Sequence, residues 1–383
     1  MRKIRTIKQN IFLELYNQMT PFITCFIFLI ILFFYIYITN QYKLSEDLEM
    51  YEMDYANNTQ LQEVCDVRQP IMFLLYPLCP RLFDDFCKPW VLMKKYGSYD
   101  LQIKDMGDYF SGEGRDLGSV PMPLSQTLPL IEQDIKATFV SSSNGEFLEE
   151  TGLLGHIAAQ LDPCLKPTFT VHSHYDMMFG SCGTVTPFQY HNYYRRFLCV
   201  TSGKIRLKMS PWNSSKYMHA IKDYEHYEFR SPVHPTGPSP EYQHDYDRMN
   251  FLEFDVDQGY AVHIPPYWWY SIEYVSTKNG PSTVTTVCSV SYMSVMNMVA
   301  NIPDIALYWL QQQNITHKVG RTLDPVKNGV TMESPVIEPP IDEVLDKLER
   351  GEAAETIVPF TQEKQDLGTQ EKEAADPQNI VSV

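Results

Sequence analysis

The pattern of apolar and polar residues divides the chain into stretches of different character. The first is an unbroken apolar run, "PFITCFIFLIILFFYIYIT", which extends over 19 residues from Pro21 to Thr39 and contains no charge. About 20 such residues suffice for a helix to cross a bilayer. A polar, acidic stretch follows from Lys43 to Gln62 and predicts a stalk between the membrane and a folded domain.

The folded part shows two further patterns. Between residues 80 and 165, helical periodicity in "TLPLIEQDI" and "GLLGHIAAQL" alternates with loops. From Phe169 to Met293, short runs rich in Val, Ile, Thr, Tyr and Phe recur between Gly, Pro, Asn and Asp, which is typical of antiparallel strands in a barrel or sandwich. The prediction is a mainly β, α+β domain with flanking helices, preceded by one transmembrane helix.

These patterns predict the domain boundaries and the character of the chain's end. Beyond residue 331 few large apolar residues occur among Glu, Pro, Gln and Lys, a composition that favours disorder. The predicted segments are a cytoplasmic segment 1–18, a transmembrane helix 19–40, a stalk 41–64, a folded domain 65–315 with its core at about 168–295, and an acidic tail 331–383.

The charges beside the apolar run predict its orientation. Arg2, Lys3, Arg5 and Lys8 precede the run, whereas the charged residues that follow it are mostly acidic, namely Glu46, Asp47, Glu49, Glu52 and Asp54. Since Lys and Arg stay on the cytoplasmic side, the pattern predicts a single-pass type II membrane protein whose main domain is lumenal or extracellular. A cleaved signal peptide is the alternative, but its apolar region is usually only ~7–15 residues long and ends at small residues.

The charge balance excludes one class of partner. The chain has 31 basic and 47 acidic residues, a net charge of −16. A nucleic-acid-binding protein would carry a basic face, so no nucleic acid is expected as a partner.

Two motifs carry a family resemblance. The stretch "GTVTPFQYHNYYRRFLCVTSGKIRLKMSPW" (183–212) resembles the pattern G-x-x-T-P-x-H-x-D followed by G-x-K, and "GYAVHIPPYWWYSI" (259–272) resembles G-D-x-x-x-I-P-x-x-W-W-H. Both patterns are found in the JmjC or cupin-like (cupin-8) domain family. The resemblance implies a double-stranded β-helix, a jelly-roll barrel of the cupin type with helices packed outside it.

The metal-ligand positions of that family are all substituted in this chain. Members with the intact motifs bind Fe(II) through two histidines and one carboxylate and use 2-oxoglutarate as cosubstrate. At the corresponding positions this chain has Gln189, His191 and Tyr270. An amide oxygen and a protonated phenol are poor iron ligands, so the three side chains are expected to hydrogen-bond to one another at the barrel mouth. Loss of the iron-dependent activity and no cofactor are the resulting predictions.

The motif residues that bind the cosubstrate in that family are retained better in this chain than those that bind the metal. Lys204 matches the family's lysine that pairs with the distal carboxylate of 2-oxoglutarate, and Thr186 matches the threonine that often assists it. The resemblance thus implies a pocket for a small carboxylate, with Arg195 and Arg196 adding positive charge nearby. The alternative is a strand lysine that reaches solvent.

A second arrangement of metal ligands stays open. The segment "HSHYD" places His174 and Asp176 two residues apart, on one face if the segment is a strand. His191 or His263 could supply a third ligand, although the segment lies some fifteen residues before the family's iron-binding slot.

These observations predict a membrane-anchored binding or scaffolding module for an unidentified protein or glycan partner, with a homodimer possible through the apolar helix at 304–314. The first alternative is an Fe(II)/2-oxoglutarate-dependent hydroxylase of protein or glycan substrates with rearranged ligands. The second is a structural envelope or surface protein.

Overall fold

The N-terminal apolar run forms one long helix. A computed structural model of the chain describes residues 2–111, 118–275 and 284–313, with side chains from residue 19 onward. Helix α1 spans Arg2–Gln41, and its part from Met19 to Gln41 contains an 18-residue window of mean hydropathy 2.6, none of which is buried in the protein. It is long and apolar enough to cross a membrane. The acidic tail predicted at 331–383 lies outside the described residues.

Nine shorter helices follow among the described residues. They are α2 Asn58–Cys65, α3 Pro89–Tyr96, α4 Met106–Ser111, α5 Leu124–Glu132, α6 Gly145–Glu150, α7 Leu153–Leu165, α8 Gln243–Tyr246, α9 Val295–Ala300 and α10 Ile302–Gln312. A short π-helical segment, Leu82–Phe86, and a 3-10 turn, Trp212–Tyr217, complete the helical structure of this part.

The described strands form two large sheets that do not close into a barrel. In chain order the strands are β1 Tyr51–Glu52, β2 Ile71–Leu74, β3 Asp100–Asp105, β4 Val120–Pro123, β5 Phe139–Ser141, β6 Thr170–Gly180, β7 Gln189–Tyr190, β8 Arg195–Ser202, β9 Lys204–Ser210, β10 Ile221–Asp223, β11 Glu228–Arg230, β12 Leu252–Asp257, β13 Tyr260–Ile264, β14 Trp269–Val275 and β15 Thr285–Ser294. The nine-stranded sheet has the order β1-β2-β13-β8-β15-β6-β5-β3-β4, and the six-stranded sheet has the order β10-β11-β7-β14-β9-β12.

Two hydrophobic clusters define the layers. One cluster joins apolar side chains of both sheets, for example Leu198 and Val287 of the larger sheet with Leu207 and Ile272 of the smaller. The other lies on the opposite face of the larger sheet, where Phe197 and Cys288 pack against residues of α2 and α7. Strand alternation explains this arrangement, because successive side chains of a strand point to opposite faces. The structure confirms the α+β part of the prediction, with large sheets and an N-terminal apolar helix, and it does not confirm the jelly-roll barrel.

The segment predicted as a stalk is partly folded onto the domain. β1 pairs in parallel with β2, and the neighbouring Met53 is buried. Helix α2 begins at an Asn57 cap, whose side chain accepts a hydrogen bond from the Gln60 amide, and it buries Leu61 against the core. The segment is mostly polar and acidic in sequence, and its buried apolar residues, such as Met53 and Leu61, are too widely spaced to form a helical or strand-like hydrophobic pattern.

Candidate functional site

A cavity of about 660 Å³ lies between the two sheets. Clefts of about 300–1,000 Å³ are the usual size of small-molecule sites. Its walls combine charged and aromatic side chains. Those that the site's chemistry depends on are Lys104, His174, Asp176, Thr186, Gln189, Arg196, Glu228, Arg230, Tyr274, Tyr308 and Trp309.

Register in the larger sheet brings the polar residues of the cavity together. Ser291 of β15 lies opposite His174 of β6 on one side and opposite Arg196 of β8 on the other. Two residues along β15, Ser289 lies opposite Asp176. Directly opposite residues share a face of the sheet, so His174, Asp176 and Arg196 all face the cavity although they are distant in sequence.

The positions that match the family's metal ligands do come close together. Gln189 of β7 and Tyr270 of β14 are directly paired across the smaller sheet. His191 follows β7, and its ring centroid lies 6.4 Å from that of Tyr270. Gln189 lines the cavity, whereas His191 and Tyr270 are only 3% and 1% exposed and lie behind its wall.

These three side chains do not form the hydrogen-bonded group that the sequence predicts. Within the described part of the chain, no hydrogen bond joins Gln189, His191 and Tyr270. Instead Nε2 of His191 lies 3.1 Å from the carbonyl oxygen of Ile264. The end of β7 turns His191 toward this carbonyl, because the backbone amide of Tyr267 binds the carbonyl of His191 and fixes the loop.

The same residues do not fit Fe(II). Burial raises the pKa of the Tyr270 phenol, which opposes the phenolate form that a metal needs. Nε2 of His191 already faces a backbone carbonyl. Gln189 offers only a neutral amide. The donor set thus lacks both the carboxylate and the second imidazole of an iron site.

Of the two residues predicted to bind a carboxylate, one lines the cavity and the other does not. Thr186 lines the cavity, but its hydroxyl oxygen already accepts a hydrogen bond from the Ile272 amide at 2.9 Å. Lys204 is not part of the cavity lining. Its ammonium lies 3.1 Å from Asp255 and 3.2 Å from Asp257, because Asp257 of β12 is the cross-strand partner of Lys204. The predicted pairing of Lys204 with a bound carboxylate thus has no geometric basis.

The alternative metal ligands are not assembled either. Both oxygens of Asp176 accept backbone N–H groups, from Ser143 at 3.0 Å and from Asn144 at 2.7 Å. His174 lines the cavity, yet the surrounding protein lowers its pKa by desolvation. In the residues that the structure describes, no group of three or more His, Cys, Asp or Glu is placed to hold a metal ion, so His174, Asp176 and His191 do not converge.

Most charges of the cavity are neutralised within the protein. Lys104 of β3 lies 3.2 Å from Glu228, and Arg230 lies 3.5 Å from the other oxygen of the same carboxylate. Burial opposes ionisation of Glu228, but these two cations outweigh it and lower its pKa. Lys104 and Glu228 lie outside both sequence motifs, and no pattern in the sequence connects them.

Arg196 is the exception. Among the described residues, none forms a hydrogen bond or an ion pair with its guanidinium, and its Nε is buried without a partner. The ring of Tyr270 lies beside it, with its centroid 5.7 Å away. Buried donors are nearly always satisfied in proteins, so an unpaired guanidinium in a cavity marks a place for an anion.

Two buried histidines make the stability of the domain depend on pH. Burial lowers the pKa of His191 and His263 well below the ordinary value, with Arg196 and Arg195, respectively, acting in the same direction. Below pH ~6.5 the unfolded chain takes up protons that the folded chain refuses, so the free energy of unfolding falls. We expect a loss of about 1.4 kcal/mol per pH unit for each histidine as the pH drops from 6.5 toward the folded pKa.

Urea unfolding of the protein in detergent, measured from pH 8 to pH 5, tests this. His263→Phe removes one of the two groups and keeps an apolar ring beside Phe197, whose centroid lies 5.3 Å from that of His263. The slope below pH 6.5 should become shallower in this variant. An unchanged slope would contradict the role of His263.

No protein-family model and no curated protein matches this sequence. The candidate function therefore depends on the chemistry of the cavity itself.

Proposed function

We propose that this protein is a membrane-anchored binding module of the JmjC/cupin-like type, without iron-dependent oxygenase activity, that binds a small anionic ligand in the cavity between its sheets. The folded domain faces the lumenal or extracellular side. The observation that carries the proposal is the unpaired guanidinium of Arg196 in a cavity of ligand size. The apolar span of α1 supports the anchor.

Two features support the double-stranded β-helix. The positions that match the family's first and last metal ligands, Gln189 and Tyr270, are cross-strand partners, which places them on the same face of the smaller sheet. The two sheets also share one apolar core, as the walls of such a barrel do. The substituted ligand positions support the loss of iron chemistry.

The chemistry of the walls defines the class of ligand. Arg196 provides one cationic anchor, whereas Lys104 and Arg230 are already balanced by Glu228. Tyr274, Tyr308 and Trp309 offer aromatic surface. A ligand with one carboxylate or similar anionic group and a planar or apolar body satisfies both parts.

The test is a ligand-induced change in melting temperature of the full-length protein in detergent, with benzoate, which has one carboxylate on a planar ring, and 2-oxoglutarate as probes. A ligand at 100 times its Kd stabilises the folded state by about 2.7 kcal/mol, which raises the melting temperature measurably. Arg196→Gln should abolish this shift. Lys204→Gln is the matched control, and it should retain the shift because Lys204 lies outside the cavity lining.

The reverse result, with the shift lost only in Lys204→Gln, would contradict the assignment of the anion site to Arg196. Conversion of 2-oxoglutarate to succinate by the protein supplied with Fe(II) would contradict the absence of oxygenase activity. A shift that neither variant alters would place the ligand outside both sites.

A further inference from the structure

Helix α10 presents an apolar face to the outside of the protein. The exposed fractions of Ile302, Leu307, Trp309 and Leu310 are 55%, 45%, 62% and 68%. All exposed positions of the helix and its C-cap fall on one side at helical spacing, and none of them is charged. They are Ile302, Pro303, Ala306, Leu307, Trp309, Leu310 and Gln313.

The face of α10 that contacts the protein is the more polar one. Asp304 accepts hydrogen bonds from the Tyr224 hydroxyl at 3.0 Å and from the Asn192 amide at 3.3 Å. The amide of Gln312 donates to the Glu225 carbonyl at 2.7 Å. A surface helix of a soluble protein has the opposite arrangement, with its apolar stripe inward. Such an inverted helix needs an apolar environment outside the protein.

The position of α10 relative to α1 indicates what that environment is. The hydroxyl of Tyr42, the residue after the last residue of α1, donates a hydrogen bond to the carbonyl of Ala300 at the end of α9. The ring of Tyr42 also lies 6.3 Å from the ring of Tyr267. Helix α10 begins at Ile302, two residues beyond Ala300, so it starts at the end of the apolar span.

We propose that the outer face of α10 lies in the interfacial layer of the phospholipid bilayer that α1 crosses. The end of a spanning helix is at the headgroup level, and α10 starts there and carries Trp309, a residue type enriched at that depth. Its apolar side chains would enter the boundary between headgroups and acyl chains, as those of interfacial helices do. This inference depends on the membrane span and goes beyond the proposed anion binding.

Docking of α10 has a consequence for the cavity. Ile305, Tyr308 and Trp309 belong to the cavity wall as well as to α10. One wall of the ligand site is therefore formed by α10. Contact of the outer face of α10 with the bilayer then places the cavity next to the membrane surface.

The test uses tryptophan fluorescence of the full-length protein in vesicles of phosphatidylcholine with brominated acyl chains, compared with the unbrominated lipid. The chain has five tryptophans, and none of them lies in α1. Excitation at the red edge of tyrosine absorption excites the indole rings selectively. The membrane-spanning helix therefore does not contribute to the measured emission. Trp268 and Trp269 are fully buried. Trp309 and Trp90 are equally exposed, each at 62%, which makes Trp90→Phe the matched control for Trp309→Phe.

The expected result is that brominated lipid quenches part of the emission of the wild-type protein, and that Trp309→Phe removes at least about half of that quenching whereas Trp90→Phe keeps it. Equal quenching in wild type and Trp309→Phe would overturn the proposal, as would a loss confined to Trp90→Phe. If acrylamide fails to reach Trp309 and brominated lipid does not quench it, the proposal is also wrong, because a second copy or another segment of the chain then covers α10. Carboxylate binding plays no part in this measurement. A result that contradicts membrane contact of α10 therefore leaves the proposed anion binding untouched.

Discussion

Gly180→Ala is expected to destabilise the domain by about 3 kcal/mol, the upper end of the usual cost of overpacking and a large fraction of the roughly 5–15 kcal/mol that stabilises a typical protein. Gly180 ends β6 on the face that looks into the space between the sheets. A Cβ atom there would lie 2.3 Å from Cγ and Cδ2 of the Tyr274 ring and 2.5 Å from Cδ1. The ring lines the cavity, but its Cγ is bonded to the Tyr274 Cβ on β14, so this atom cannot move away from the new Cβ unless the strand itself shifts.

Chemical denaturation of Gly180→Ala beside Gly155→Ala measures this effect against a matched substitution. Gly155 lies within α7, and a Cβ there meets nothing within 4 Å. Alanine should stabilise the helix at that position by roughly 0.5–1 kcal/mol. In the background of Tyr274→Ala, which removes Cγ and both Cδ atoms, Gly180→Ala should cost only a fraction of its value in the wild-type protein. Equal effects of both glycine substitutions would show that the close approach of Tyr274 to Gly180 does not exist.

The helices and strands of this protein can be predicted from the sequence better than the face on which each of their side chains lies. The apolar span is readable because few structures apart from a membrane helix contain so long an uncharged apolar run. The strands between 169 and 293 are readable from residue type and turn signals. The stalk prediction is less accurate, since β1 and α2 depend on tertiary contacts such as the burial of Leu61.

The candidate site shows why directions are harder to predict. Arg195 and Arg196 are adjacent in sequence, and the motif predicts both only as nearby positive charge. Alternation along β8 sends Arg195 to the helical side of the sheet, where it is 0% exposed, and Arg196 into the cavity. Lys204 matches its motif, yet the register of β9 with β12 places it opposite Asp257. Register is set by long-range pairing that a local motif does not contain.

Asp66→Ala is the second substitution with a large expected effect. The carboxylate of Asp66 lies 2.5 Å from Nη2 of Arg195, whose Nε also donates to the side-chain oxygen of Gln62 at 3.0 Å. The Asp66 side chain is 60% exposed, but the Arg195 side chain is 0% exposed. Removing the aspartate therefore leaves a buried cation without its counter-charge.

Breaking a buried ion pair by removing one partner costs roughly 3–5 kcal/mol. Since Asp66 reaches solvent, which screens part of the attraction, we expect about 2–3 kcal/mol from urea unfolding of Asp66→Ala. Asp257→Ala is the matched control, because Asp257 is 66% exposed and its partner Lys204 is also in contact with water. An exposed pair of this kind contributes less than about 1 kcal/mol.

A double-mutant cycle separates the interaction between Asp66 and Arg195 from the other effects of removing Asp66. Arg195→Met replaces the cation by an apolar chain of similar length, and an apolar replacement of a buried ion pair is often tolerated. In the Arg195→Met background, Asp66→Ala should cost only a fraction of its value in the wild-type protein, because no buried charge is left unbalanced. If Asp66→Ala costs the same in both backgrounds, Asp66 stabilises the fold through its position at the end of α2 and not through Arg195.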